Sequence, residues 1–179
     1  YTTKIPATVS IGLTGTSLTF FVTSGSGYIT PPNVTLIGGG GTARAAIGAL
    51  NTQVAAVDVL LRSESRMAAL VKAAPDLQVK KLDMTHALND YDLIVQTTPA
   101  GVFDEYVSNT AVAKGTLLEA LYKPSPTSLG RRYKELGGEV ISGKELLVEQ
   151  ALFQIQLFTG QEFDFAEMRK ALLSAIADD

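Results

Sequence analysis

Val34-Thr35-Leu36-Ile37-Gly38-Gly39-Gly40-Gly41-Thr42-Ala43-Arg44-Ala45-Ala46 sets strand-forming residues, four glycines and an alanine-rich run in direct succession. The order predicts a short strand, a tight loop and a helix from Thr42 to Leu50. A second apolar run, Val57 to Leu61, follows one helix length later. Strand, loop, helix and strand make one βαβ unit, which joins parallel strands by a right-handed crossover. Glycine lets a backbone turn sharply and come close to an anion. The first turn of a helix adds unpaired N–H groups at the positive end of its dipole. Gly38, Gly39, Gly40 and Gly41, with Thr42 and Ala43 at the helix start, are therefore expected to form a phosphate site.

The same rhythm continues downstream. Glu64 to Ala74 reads as a helix with Met67, Leu70 and Val71 on one face. Leu77 to Leu82, Leu93 to Val95, Thr116 to Leu118 and Val140-Ile141 read as further strands. Thr127 to Leu136 is predicted as a helix ended by Gly137-Gly138. Lys144 to Thr159 is a long apolar helix ended by Gly160, and Ala166 to Ala177 is a last amphipathic one. Alternation of this kind implies an α/β fold: a Rossmann-like doubly wound parallel sheet with helices on both faces.

Upstream the composition differs. Tyr1 to Thr30 is rich in Thr, Ser and Gly and poor in charge. Thr8 to Ile11 and Ser17 to Val22 suggest two or three short strands, with Gly12, Gly15, Gly25 and Gly27 as punctuation. The expected division is a β-rich segment over residues 1–32 and the α/β domain over 33–179.

Composition narrows the function classes. The chain has 179 residues, 46% hydrophobic and 18% charged, with formal net charge −3. Mean hydropathy is +0.18, which suits a sheet buried on both faces. No basic tract points to nucleic acid or an anionic membrane. Cysteine is absent and His86 is the only histidine, so thiolate chemistry and His-rich metal sites are excluded and no metal is expected. His86 follows Met84-Thr85 without a nucleophile elbow and reads as a surface or helix-cap residue. No apolar run approaches the roughly 18–20 residues needed to span a bilayer. No charged-then-apolar leader is seen at the start, so a cytoplasmic location is the expectation.

The second strand of the βαβ unit runs into Leu61-Arg62-Ser63. Folds selective for NAD usually place an acid here for the ribose hydroxyls, whereas an arginine pairs with a 2′-phosphate. Arg62 therefore turns the expectation toward NADP, with Ser63 beside it and Arg44 and Arg66 as further positive charge. Gln96-Thr97-Thr98-Pro99-Ala100-Gly101-Val102 follows the fourth strand as a turn whose hydroxyls and amides face the same end of the sheet.

Five segments in order resemble the shikimate dehydrogenase family. They are the glycine loop, Leu61-Arg62-Ser63, Gln96 to Val102, Glu119-Ala120-Leu121-Tyr122-Lys123-Pro124-Ser125-Pro126-Thr127-Ser128-Leu129, and Gly143-Lys144-Glu145-Leu146-Leu147-Val148-Glu149-Gln150-Ala151. The resemblance runs from about Val34 to the C-terminus and implies that family's C-terminal NADP-binding domain. It implies hydride transfer between NADPH and 3-dehydroshikimate. By the same resemblance Gly38, Gly40 and Gly41 face the pyrophosphate, and Arg62 and Ser63 bind the 2′-phosphate. Thr97 and Thr98 lie along the cofactor, Tyr122 and Gly143 border the nicotinamide, and Gln150 reaches toward the substrate. The implied substrate is shikimate or a related cyclohexene carboxylate. Neither nucleic acid nor a membrane is an expected partner, and a homodimer is left open.

Departures accompany the resemblance. Gln96 stands for the usual Asn, Glu119 for Asp, Leu146 for Met and Leu61 for Asn. The family's substrate domain supplies a catalytic Lys and Asp; neither motif is found in this sequence, so no catalytic residue is identified. Asn33-Val34-Thr35 echoes the Lys motif, but no Pro or Lys follows. Gly25 to Val34 instead resembles turn-rich β repeats of phage and surface proteins. Two rival readings follow: a non-catalytic nucleotide-binding or regulatory module, and a structural protein using the α/β core as a scaffold.

Overall fold

The computed structural model describes residues 5–14, 17–26 and 31–176. Two strands, β1 (Ile5–Thr14) and β2 (Ser17–Ser26), form an antiparallel hairpin with Val9 opposite Val22 and Thr14 opposite Ser17. The hairpin backbone runs close to two helices described below, β2 beside the first and β1 beside the fourth. The turn glycines Gly15 and Gly27, and the expected helix end at Ala177, lie outside the described residues.

From residue 31 onward the alternation expected from the sequence is present. The elements are β3 (Val34–Ile37), α1 (Gly41–Leu50), β4 (Ala56–Leu60), α2 (Met67–Ala73), β5 (Gln78–Leu82), β6 (Leu93–Gln96), β7 (Thr116–Glu119), α3 (Ser128–Glu135), β8 (Glu139–Ile141), α4 (Gly143–Thr159) and α5 (Phe165–Ala175). Short 3-10 turns precede α2 at Glu64–Arg66 and follow β6 at Asp104–Asn109. The second of these has no counterpart in the sequence reading. Its Tyr106 and Val107 pack on the core, but six residues are too few to show a period.

The sheet order is β5-β4-β3-β6-β7-β8, and every pairing is parallel. Counted within this sheet that is 3-2-1-4-5-6, the doubly wound order whose direction of winding reverses between its first and fourth strands. The two strands flanking that reversal, β3 and β6, are buried at every position. The edge strands β5 and β8 hold only exposed and half-buried residues. This gradient is why the central strands read as uninterrupted apolar runs.

Each face of the sheet carries its own core. On one, Leu36, Val57, Val59 and Val95 pack against Ala43, Ala46, Ile47 and Leu50 of α1 and Leu70 of α2. On the other, Ile37, Leu60, Ile94 and Leu117 meet Leu129 and Tyr133 of α3 together with Met84, Leu88 and Phe103. The small alanine side chains of α1 let its backbone lie close to the sheet, which fixes where its N-terminus points.

The later helices are capped by their own side chains. Thr127 accepts from the Gly130 amide at 3.1 Å. Ser142 and Glu145 form a reciprocal capping box, and Asp164 accepts from the Ala166 and Glu167 amides. Helix α4 ends on Gly160 at φ +65°, the left-handed residue that closes many helices. Helix α5 folds back on α4 through Phe153, Phe163 and Phe165 and through a two-point ion pair between Arg169 and Glu149.

Candidate cofactor site

The glycine loop leaves β3 at the point where the winding reverses. Gly38 has φ +110°, a backbone conformation that side chains rarely adopt, and its amide donates to the Leu60 carbonyl at 3.1 Å. A Cβ there would stand 2.6 Å from the Thr97 hydroxyl. One on Gly39 would stand 2.8 Å from a Leu61 methyl. The loop therefore lies flat against the ends of β4 and β6, and its outer side is open.

Among α1, α3, α4 and α5, only α1 begins without a side-chain cap, and its first turn carries no acid. An uncapped helix start leaves its first amides without an intrahelical acceptor. Together with the dipole they favour an anion at that point. Ala43, one of the residues expected at the site, is fully buried in the core under α1. Its side chain faces the sheet, so only its amide is available to a ligand.

A cleft of about 440 Å³ opens over the loop. It is lined by Gly38 to Thr42, by Arg62, Ser63 and Arg66 after β4, and by Thr97, Thr98 and Pro99 after β6, over an apolar floor. The topology thus gathers nine of the sequence-predicted residues into one concavity: Gly38, Gly39, Gly40, Gly41, Thr42, Arg62, Ser63, Thr97 and Thr98.

The side chains within it are held by named bonds. The Thr97 amide and hydroxyl both donate to the Ile37 carbonyl, at 3.0 and 2.7 Å. Gln96 is buried, and its Oε1 accepts from the Thr98 amide and hydroxyl, each at 3.1 Å. That amide oxygen shapes the turn. The Ser63 hydroxyl caps the 3-10 turn at Glu64–Arg66 and contacts the Ser65 hydroxyl at 2.8 Å. Arg62 is exposed and close enough to Tyr106 to act on its hydroxyl. The Tyr106 hydroxyl is pushed up from its ordinary range chiefly by its hydrogen bond to Glu105, and Arg62 opposes that shift.

Arg66 is placed more centrally than its sequence position suggests. Its Nη1 donates to the Gly39 carbonyl at 3.4 Å, so its guanidinium lies across the loop. Arg44 stands at the helix start, its Nη2 3.9 Å from where a Cβ on Gly41 would be. The sequence reading did not select Leu60, Leu61, Met84, Pro99 or Val102, which also line the cleft. Leu60 and Met84 carry no motif, and Leu61, Pro99 and Val102 lie in quoted segments without a role assigned to their apolar side chains; strand order makes all five neighbours.

Tyr122, Gly143 and Gln150 do not line this cleft. Tyr122 lies in the loop after β7 with 54% of its surface exposed. Gly143 opens α4, and a Cβ on it would stand 2.6 Å from the Tyr122 amide nitrogen. Gln150 is half-buried along α4. All three belong to the β7 side of the winding reversal. His86 is exposed in a turn, edge-on to Tyr91, as expected from the sequence. Among the described residues no group of acidic or histidine side chains is arranged to hold a metal, and no helix is long and apolar enough to cross a membrane.

Residues 143–173 match the family model described as "Shikimate 5'-dehydrogenase C-terminal domain". The NADP(+) shikimate dehydrogenase of Shouchella clausii is 29% identical over 143 residues, covering 75% of this chain and 52% of its own. The crystal structure of Mycobacterium tuberculosis shikimate dehydrogenase superposes with a TM-score of 0.72 at 31% identity, covering 81% of this chain and 57% of that one. The Thermus thermophilus shikimate 5-dehydrogenase, solved with NADP(H) and shikimate, does so with a TM-score of 0.63 at 25% identity, covering 82% and 56%. The chain spans about half the length of the curated relatives it matches.

Proposed function

We infer that this chain, whose residues 143–173 match the family model for the C-terminal domain of shikimate 5'-dehydrogenase and whose fold superposes on shikimate dehydrogenase, binds NADP(H) and presents it for hydride transfer to 3-dehydroshikimate. One observation carries the cofactor reading. The uncapped start of α1, the flat glycine loop and the exposed Arg62 line one cleft at the winding reversal.

The residues present fit such a cofactor. A side chain on Gly39 would meet Leu61 and Arg66, so the missing side chain lets the loop lie flat against the fold, and its open outer side is where a pyrophosphate would approach. The amides from Gly40 to Ala43 would hold the pyrophosphate oxygens at the helix start. Arg62 would pair with the 2′-phosphate, with the Ser63 hydroxyl beside it. Arg66 would add charge where the loop turns. Thr97 and Thr98 would follow the cofactor toward β7, where Tyr122 and Gly143 border the nicotinamide. Gln150 would reach the substrate, shikimate or a related cyclohexene carboxylate. Bound NADPH supplies a hydride for a carbonyl carbon. The oxygen that becomes a hydroxyl then needs a proton from a positioned acid. The resemblance gives that task to a Lys–Asp pair of a substrate domain. The cytoplasmic location expected from the sequence belongs to this proposal.

A second reading rests on the cleft's chemistry. Its lining includes two arginines but no Lys, His, Asp or Glu, so it offers no side chain suited to proton transfer near neutral pH. A module that binds the nucleotide without turning it over fits that lining.

The experiment is thermal denaturation with NADP⁺ and, separately, NAD⁺. At free ligand about 100-fold above the dissociation constant, a single site stabilises the folded state by about 2.7 kcal/mol. The expected result is a rise in Tm with NADP⁺ at lower concentration than with NAD⁺. No rise with either nucleotide would leave the α/β core as a scaffold.

A further inference from the structure

The loop between β7 and α3 is tied down by a carboxylate from the interior. Glu119 ends β7 fully buried, level with Gln96 of β6. The Thr127 hydroxyl donates to Glu119 Oε1, and the Thr127 amide donates to Oε2 at 3.5 Å. Thr127 Oγ1 in turn accepts from the Gly130 amide at the start of α3. A carboxylate taken out of water needs such donors, and the first turn of a helix provides them. The result is a closed loop: residues 120–126 leave and re-enter the fold at one point.

Two glycines make this possible. A Cβ on Gly130 would lie 2.7 Å from Glu119 Oε2 and 2.9 Å from Oε1. Gly130 sits inside α3, where helix propensity alone favours alanine, so the space is used by the acid. The second is Gly143, whose bare backbone lies against the Leu121–Tyr122 peptide. The Tyr122 ring is half exposed, so its place depends on how this loop's backbone is held.

We propose that Glu119 is a positioning residue for the nicotinamide half of the cofactor site: seated in the space left by Gly130, it fixes, through Thr127, the loop that presents Tyr122. The proposal rests on the cofactor reading above. It assigns a task to a buried carboxyl group that lies outside the cleft and that the cofactor reading leaves unused.

The test compares two ligands on the same chain: NADPH, and adenosine 2′,5′-bisphosphate, which lacks the nicotinamide half. In Glu119→Gln, NADPH affinity should fall about five-fold or more, the size of one lost hydrogen bond. Affinity for the bisphosphate should stay within about two-fold, below the free energy of one hydrogen bond. Gly130→Ala should lower both Tm and NADPH affinity, against helix propensity. Adding Glu119→Asp, which withdraws the acid by one methylene, should recover both. Equal weakening of the two ligands, or none, would overturn the proposal, as would a Gly130→Ala chain with raised Tm and unchanged NADPH affinity. Wild-type chain that binds neither ligand would overturn the cofactor reading itself, and this proposal with it.

Discussion

The Thr97 hydroxyl donates to the Ile37 carbonyl at 2.7 Å, joining the C-terminal ends of β6 and β3 across the winding reversal. That bond sets the space next to Gly38. At φ +110° any side chain is strained, and here its first carbon would also strike the Thr97 hydroxyl. Gly38→Ala should therefore cost about 1–3 kcal/mol from backbone strain. NADPH binding should fall with it, because relief of the clash moves the loop or breaks the Thr97 bond. Chemical denaturation and a binding isotherm on the same preparation check both. An alanine variant of wild-type stability would mean that the loop is not held as described.

Helix α5 provides the opposite case. Asp164 accepts from the Ala166 and Glu167 amides and lies far along the chain from every cleft residue. Asp164→Ala should cost about 1 kcal/mol, the usual value of an N-cap. NADPH affinity should not change. A shift in affinity would show that the α4–α5 pair communicates with the cleft.

Tyr91 gives a pH dependence with a definite sign. Burial, and then its hydrogen bond to Asp58 at 2.7 Å, hold its hydroxyl protonated well above the ordinary tyrosine value. The folded chain keeps a proton that the unfolded chain releases near pH 10. Its contribution is thus complete below about pH 10 and declines as pH rises further. Tyr91→Phe should be less stable than wild type by about 1 kcal/mol near neutrality. The gap should narrow above about pH 10, where the unfolded wild-type chain gains by ionising. Buried Tyr133 is raised too, but it acts equally in both proteins. Denaturant titrations across that range check the prediction; a constant gap would contradict it.

Most of the fold was legible because the central parallel strands are apolar at nearly every position, with Thr35, Gln96 and Glu119 as their buried polar exceptions. Val34–Ile37 and Leu93–Gln96 are buried throughout, and the sequence marks them by the short apolar stretches Val34 to Ile37 and Leu93 to Val95. Gly137 and Gly160 both take positive φ at the helix ends where the sequence places stops. The β-rich front was read as two or three strands, and two pair as a hairpin. The cleft was legible only in part. Glycine, arginine and threonine advertise chemistry by type, whereas Leu60 and Met84 become cleft residues solely through strand order. Arg66 was named only as extra charge, since nothing local shows that a guanidinium four residues past Arg62 folds back over Gly39. Glu119 stood out only as a departure from a family pattern. Its buried bond to Thr127 and its fit against Gly130 are tertiary facts.

The central claim is that this cleft holds NADP(H) and that Arg62 selects it. Calorimetric titration of the chain with NADPH and with NADH, repeated on Arg62→Ala, tests it most directly. The account predicts tighter binding of NADPH, by about ten-fold or more, from charged hydrogen bonds to the 2′-phosphate. It predicts that Arg62→Ala removes most of that preference while NADH affinity stays the same. Equal affinity for the two cofactors, unchanged in Arg62→Ala, would contradict it.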